Sequence, residues 1–351
     1  MALKDEVLII GGGVAGLSAA LGLSQLGIRS VLVEKKAGLG GYAAQYACKA
    51  TTACVKCGAC VVMEKISRAV ADPDIEVLTG SRVERMSRVQ GFEALISGAT
   101  GDGPPASRTL TAAAVILACG FKPFDPESKP YGYKRFANVV TNLDLERMLR
   151  AHSVPLRPSD GAAPARMAFV QCVGSRDASL GHLWCSKVCC ASALRMARLI
   201  KMRRPATEMT FFYIDIQSFG ERFQDVYDEI RRDFRMIRAL PGDVFQAPDE
   251  SLTVVYYDSQ GRQSHEEPFD LLVLSIGITP AGDAEELAGM ADLPIGPAGF
   301  VSAAAAGRPQ PAAGVFAAGT VCGPMSIAEA VAAGDSAAQA AAAYLRGARN
   351  V

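Results

Sequence analysis

The sequence predicts an α/β protein made of two Rossmann-like dinucleotide-binding domains, the second inserted in the first. Three observations predict it. The chain opens on a strand, a glycine turn, a helix and a second strand. Apolar strands ending in glycine recur at residues 115–120 and 314–320, and a second strand–helix–strand series lies between them. At 351 residues the chain has room for two domains, each with its own core. The expected bounds are residues 1–150 with 285–351 for the first domain and 151–284 for the insertion.

The opening unit covers residues 6–34. Val7 to Ile10 read as a buried strand, Gly11-x-Gly13-x-x-Gly16 as the turn, and Leu17 to Leu26 as the helix. Gly27 ends that helix, and Ser30 to Val33 form a strand that finishes at Glu34. The glycine pattern alone is weak, but here it follows a strand, opens a helix and is completed by an acidic residue. Glycines let the backbone approach a pyrophosphate, the helix N-terminus faces its charge, and Glu34 can bond ribose hydroxyls. A glycine turn without nucleotide is the competing reading.

Two later strands favour FAD over NAD as that nucleotide. Val115 to Gly120 follows a Gly/Pro turn region at Gly101 to Pro105, and Gly314 to Thr320 leads through Gly323-Pro324 into an Ala-rich helix. Ser326-Ile327-Ala328-Glu329 is a capping box, so this helix start is well defined. It can face the electron-rich end of a flavin, although high helix propensity and tight packing also explain the alanines of 330–343. Residues expected to meet FAD are Gly11, Gly13, Val14, Ala15, Gly16, Glu34, Lys35, Gly40, Gly41, Val83, Ala118, Cys119, Gly120, Gly319, Thr320, Ser326 and Ile327.

Pro155, Pro158, Gly161 and Pro164 mark a linker into the insertion. Strands follow at Met167 to Gln171, Met209 to Ile216, Leu252 to Tyr257 and Leu271 to Ser275, with Gly277 and Pro280 marking the return. The first of these strands is followed by Cys172-Val173-Gly174-Ser175-Arg176 and not by a second glycine fingerprint, which argues against NAD(P)H there. Cys172, Cys185, Cys189 and Cys190 form a C-x12-C-x3-C-C pattern. Cys185 and Cys189, four apart at a helix start, are expected on one face, with Cys172 at a strand end nearby. Four converging thiolates beside a helix N-terminus suit a [4Fe–4S] cluster. Structural zinc and plain buried thiols compete with it, and the vicinal Cys189–Cys190 pair argues against zinc knuckles.

Composition excludes several classes. A formal net charge of zero leaves no electrostatic footprint for nucleic acid or anionic membrane. The opening residues read as a strand and not as a signal peptide, and no apolar run reaches membrane-spanning length. Ten cysteines without a secretion signal point to the cytoplasm and to metal or redox use. The three histidines lie far from any serine or cysteine triad, so hydrolase chemistry has no support.

The whole plan is similar to the two-dinucleotide-domain flavoproteins of the thioredoxin reductase type. More closely, the chain resembles the A-type subunit of heterodisulfide reductase. The resembling motifs are QCVGSRD at Gln171 to Asp177, WCSKVCC at Trp184 to Cys190, DIQSFG at Asp215 to Gly220, LSIGITP at Leu274 to Pro280 and AAGTVCGP at Ala317 to Pro324. The resemblance implies FAD and, on the four cysteines above, a [4Fe–4S] cluster close to it. It also implies B- and C-type partner subunits and a homodimer. No C-x2-C-x2-C-x3-C-P ferredoxin motif is present, so the chain resembles the short form found beside sulfur-oxidation systems that use lipoate-binding proteins. Without such modules ordinary electron transfer is expected in place of bifurcation.

A second cysteine group, Cys54-x2-Cys57-x2-Cys60 with Cys48 upstream, follows Gly40-Gly41. Cys57, Cys60 and Lys65 match the family's C-x-x-C segment, within a stretch somewhat longer than usual. Unliganded thiols near the flavin or a partner, a redox disulfide and a second cluster all remain open. Lys49, Thr51, Thr52, Cys57 and Cys60 are the expected catalytic residues beside the reactive ring. Three functions compete: an electron-transfer flavo-iron–sulfur subunit, a stand-alone FAD-dependent disulfide reductase using a pair among Cys54, Cys57 and Cys60, and an assembly scaffold with structural FAD.

Overall fold

Every residue of the opening strand β1 (Glu6–Ile10) is buried, as in a central parallel strand covered on both faces. The computed structural model describes residues 6–98, 106–217, 223–302 and 313–348; the expected turn at Gly101 to Pro105 lies outside them. The chain forms two compact units, Met1–Ala44 with Gly58–Lys122 and Thr279–Val351, and Gln45–Cys57 with Pro123–Ile278.

In the first unit β1 is joined by β2 (Arg29–Val33), β3 (Ile75–Leu78), β7 (Ala114–Leu117) and β18 (Val315–Ala317). Together they make a parallel sheet of order β18-β7-β1-β2-β3. Helices α1 (Val14–Gln25), α2 (Ala59–Ala71), α6 (Ala284–Met290) and α7 (Ile327–Ala348) belong to this unit, as does an antiparallel meander of β4 (Ser81–Val89), β5 (Gly91–Gly98) and β6 (Ala106–Ala112). Strand alternation feeds two cores: Leu8 and Ile10 enter one, Val7 and Ile9 the other. The alanines of α7 have a packing cause. A Cβ on Gly334 would lie 2.2 Å from the Ala15 carbonyl oxygen, and one on Gly22 would lie 3.0 Å from Ala338 Cβ. The α1 and α7 backbones therefore approach closely. The capping box forms as expected, with Ser326 N–H donating to Glu329 at 2.8 Å and Glu329 N–H to Ser326 Oγ at 3.2 Å.

The second unit repeats the plan. After β8 (Phe121–Pro123), which runs across the boundary of the units, the short strand β9 (Val139–Thr141) and helix α3 (Asn142–His152) precede β10 (Arg166–Val173), α4 (Cys189–Arg203), β11 (Glu208–Phe212), α5 (Phe223–Asp233) and β12 (Arg235–Ile237). The meander β13 (Pro241–Gln246), β14 (Leu252–Asp258) and β15 (Gln263–Phe269) leads into β16 (Leu271–Ile276), followed by β17 (Ile278–Pro280). Its parallel sheet has the order β12-β11-β10-β16-β9. Phe169 and Phe211, paired in register across β10 and β11, stack at 4.7 Å.

This division departs from the bounds the linker suggested. β9 pairs with β16 through Leu272↔Val139 to Leu274↔Thr141, so residues 123–150 belong to the second unit. The prolines of 155–164 sit in a loop inside it. Gln45–Cys57 also belongs there, which no local pattern announced. Met209 to Ile216, expected as one strand, leaves strand geometry after Phe212.

Candidate cofactor sites

At the C-terminal end of β1 the chain turns at Gly11, whose φ of +114° and near contact with Ala118 exclude any side chain; a Cβ there would lie 2.3 Å from the Ala118 oxygen. Gly16 lets α1 lie on Gly11, since its Cβ would meet the Gly11 oxygen at 1.9 Å. Gly13 is different. A Cβ on it would meet nothing within 4 Å, and as the N-cap of α1 it offers no side-chain cap. The first N–H groups of α1 are thus left for an anion, the fit a dinucleotide pyrophosphate needs. Glu34, 7% exposed, accepts from Gly12 N–H and Lys36 N–H, both at 2.8 Å. A carboxylate keeps lone pairs for ribose hydroxyls beyond these two bonds. Gly40 N–H reaches the Gly12 oxygen at 2.7 Å, laying the Gly40–Gly41 turn against the fingerprint.

Other expected FAD residues fall around this turn or elsewhere in the first unit. Val14, Ala15 and Gly16 are the first residues of α1, and Ala118, Cys119 and Gly120 follow β7 directly. Gly319 and Thr320 follow β18, and Ser326 and Ile327 start α7. Lys35 pairs with Asp283 at 2.6 Å. Val83 is buried in the core of this unit. Burial, and then the Asp283 carboxylate, push the Cys119 thiol up to about 12, and burial pushes Cys322 up to about 11; both are protonated at neutral pH.

In the second unit the C-terminal end of β10 carries Cys172 where β1 carries the glycine turn. The register of β10 on β16 shifts between Val170 and Val173, and Cys172 adopts a left-handed φ of +60°. Nine described non-glycine residues have positive φ; three of them, Cys172, Arg176 and Lys187, lie in the two segments that carry the cysteines. Such strain collects at functional sites. Cys185 is not on the helix, as its spacing suggested. It lies in a preceding turn where Lys187, at φ +63°, donates its N–H to Cys185 Sγ at 3.3 Å. Cys189 and Cys190 are the first two residues of α4, beside its N–H groups.

The two segments are clasped together. Ser175 Oγ and Ser186 Oγ are 2.6 Å apart, and Ser186 Oγ also accepts from Ile278 N–H at 2.8 Å. Gly277 is required there, because a Cβ would lie 2.2 Å from Ser175 Oγ. The four thiols interact with one another. A hydrogen bond from Cys189 to Cys190 holds the Cys189 proton and lowers the Cys190 pKa. Burial, then Cys190, push Cys172 up to about 11. The positive charge of Arg176 works against that rise, and the Gln217 backbone helps to lower Cys190. Among the described residues no three His, Cys, Asp or Glu side chains are spaced to hold a metal ion. A four-iron cube is a larger body than one ion, with ligands set further apart. A set of soft thiols without histidine or carboxylate suits iron–sulfur chemistry.

Lys49 is buried in the second unit, bonded to Glu146 at 2.6 and 2.9 Å and to the Ala47 oxygen at 3.1 Å. Glu146 also accepts from Ala47 N–H and Ser192 Oγ. Thr51 is half-buried and Thr52 exposed. Cys57 is half-buried, and Cys48, Cys54 and Cys60 are exposed; all ten cysteines are free thiols. Sequence reasoning missed Glu146, although a carboxylate between buried Leu145 and Leu149 on α3 is a signal that a buried cation is near.

The pyridine nucleotide-disulphide oxidoreductase family matches residues 5–170. The A-type subunit of the H2:CoB-CoM heterodisulfide, ferredoxin reductase of Methanothermobacter marburgensis is 30% identical, over 97% of this chain and 64% of its own length. The chain is similar over most of its length to the A-type subunits of heterodisulfide reductase. The A-type iron–sulfur subunit of the CoB–CoM heterodisulfide reductase of Methanocaldococcus jannaschii is 31% identical over 85% of the chain and 57% of its own length. The chain thus spans less than two thirds of these relatives. Thioredoxin reductases of T. acidophilum and Lactococcus lactis share the fold, with TM-scores of 0.64 and 0.65 at 17% and 16% identity, over 98% of this chain and 99% and 100% of theirs. Among the described residues no helix is long and apolar enough to cross a membrane.

Proposed function

We propose that the chain is an electron-transfer flavo-iron–sulfur subunit of a heterodisulfide-reductase-like complex. FAD supplies two-electron chemistry, and a [4Fe–4S] cluster takes electrons singly. In the first unit the bare N-terminus of α1 takes the pyrophosphate and Glu34 the ribose. In the second unit Cys172, Cys185, Cys189 and Cys190 hold the cluster. The observation that carries this reading is the strained, clasped pair of loops that gathers four thiols at the end of β10. Partner subunits of B and C type perform the disulfide or thiol chemistry, in sulfur oxidation linked to a lipoate-binding protein. The chain works as a homodimer in the cytoplasm. Lys49, engaged by Glu146, holds the segment Gln45–Cys57 that presents Thr51, Thr52 and Cys57, with Cys60 just beyond.

The exposed Cys54 and Cys60 favour one alternative, a stand-alone flavin disulfide reductase. Iron, acid-labile sulfide and flavin quantitation on anaerobically purified protein separates the two. Four irons and one FAD per chain are expected, with a broad absorption shoulder that bleaches with dithionite. Flavin without iron, bleached by NADPH, would overturn the proposal in favour of the alternative.

A further inference from the structure

We propose that the outer face of the meander β13–β14–β15 is a docking surface for a protein partner whose contact patch is basic around an apolar centre. This holds whichever cofactors the chain carries. One face of the antiparallel sheet is spent on the fold, for Val244, Leu252, Val254, Tyr256 and Phe269 enter the core of the second unit. Alternation sends the residues between them outward. In register across the three strands, Phe245 and Pro268 flank Thr253, and Asp243 and Glu266 flank Val255. Tyr257 continues the row of Thr253 and Val255 along β14. Phe245 and Tyr257 are 54% and 56% exposed, and among the described residues they are the only aromatic members of the exposed large apolar side chains. Aromatic side chains are enriched at the centres of protein interfaces, whereas the outer face of an antiparallel sheet is ordinarily polar.

Charge sets the chemistry of the partner. Glu267 is committed to Arg235 and Tyr256, which leaves Asp243 and Glu266 as the charges on either side of Val255. Residues 241–270 together hold seven acidic residues and one basic. Residues 178–207 hold six basic residues and no acidic one, and they supply α4 to the opposite face of the parallel sheet. A second copy docked face to face would set these carboxylates against their own counterparts, because a two-fold interface repeats one patch on both sides. A basic surface is drawn to them instead, and its apolar centre covers Phe245 and Tyr257.

The test is binding of two short, fluorescently labelled synthetic peptides to the full chain, one alternating lysine with leucine and the other glutamate with leucine. Anisotropy reads the affinity, and hydrogen exchange maps the contact. The lysine peptide is expected to bind, more weakly as salt is raised, and to protect β13–β15; the glutamate peptide is not. F245S/Y257S is expected to weaken binding by about tenfold or more while keeping the salt dependence. D243N/E266Q is expected to weaken binding and to flatten the salt dependence. Should F245S/Y257S fail to fold, F245K decides in its place, by the same loss of affinity. Equal binding of the two peptides, protection confined to other elements, or an affinity unchanged in either variant overturns the inference. So does self-association of the wild type that F245S/Y257S abolishes, read by sedimentation, because the occupant is then a second copy of the chain.

Discussion

Glu34 holds the fingerprint turn as well as its expected ribose, since its two oxygens already accept from Gly12 and Lys36. E34A should weaken FAD binding by roughly 1.5–3 kcal/mol for each charge-assisted bond lost. Fluorescence titration of the flavin-free protein measures this; unchanged affinity would count against the ribose assignment. Lys49 and Glu146 present a different case. Their side chains are 4% and 2% exposed, so removing one partner strands a buried charge. K49M should destabilise the second unit by about 3–5 kcal/mol, read as a lower urea midpoint. K49M/E146Q should recover part of that loss, because the amide oxygen still accepts from the Ala47 N–H. A double variant no more stable than K49M would show that the ion pair is not the cause.

Among the elements, the ends of β1 and β10 decide the chemistry. Each is a buried central strand followed by a helix, but residues 11–13 join β1 to α1 whereas the longer segment 174–188 separates β10 from α4. One end has glycines that admit a dinucleotide, and the other has Cys172 in a register shift. Spacing misplaced Cys185 because it assumes a continuous helix, and left-handed Lys187 interrupts one. The α1–α7 contact shows how an element far along the chain supports the turn. G334A puts a methyl group 2.2 Å from a backbone oxygen of Ala15 and should cost about 1–3 kcal/mol. G289A in α6 meets nothing within 4 Å and should be neutral or stabilising by up to ~1 kcal/mol. Thermal unfolding distinguishes them, and equal shifts would refute the packing argument.

For the molecule as a whole, the two proposed cofactors belong to separate compact units, and their occupancies should separate. C189A should lose the iron signal while retaining FAD, as measured by iron and flavin quantitation on one preparation. Full iron content in C189A would contradict the ligand assignment. Fold class, glycine turn and capping box were legible in the sequence, because strand and helix periods and glycine spacing are written within a few residues. Other features were decided only by tertiary structure. Glu146 meets Lys49 across 97 positions, Asp215 meets Arg176 across 39, and Gln45–Cys57 folds with the second unit. Contacts over such distances leave no periodic trace, and the chain reveals them only once two sheets have brought distant segments together.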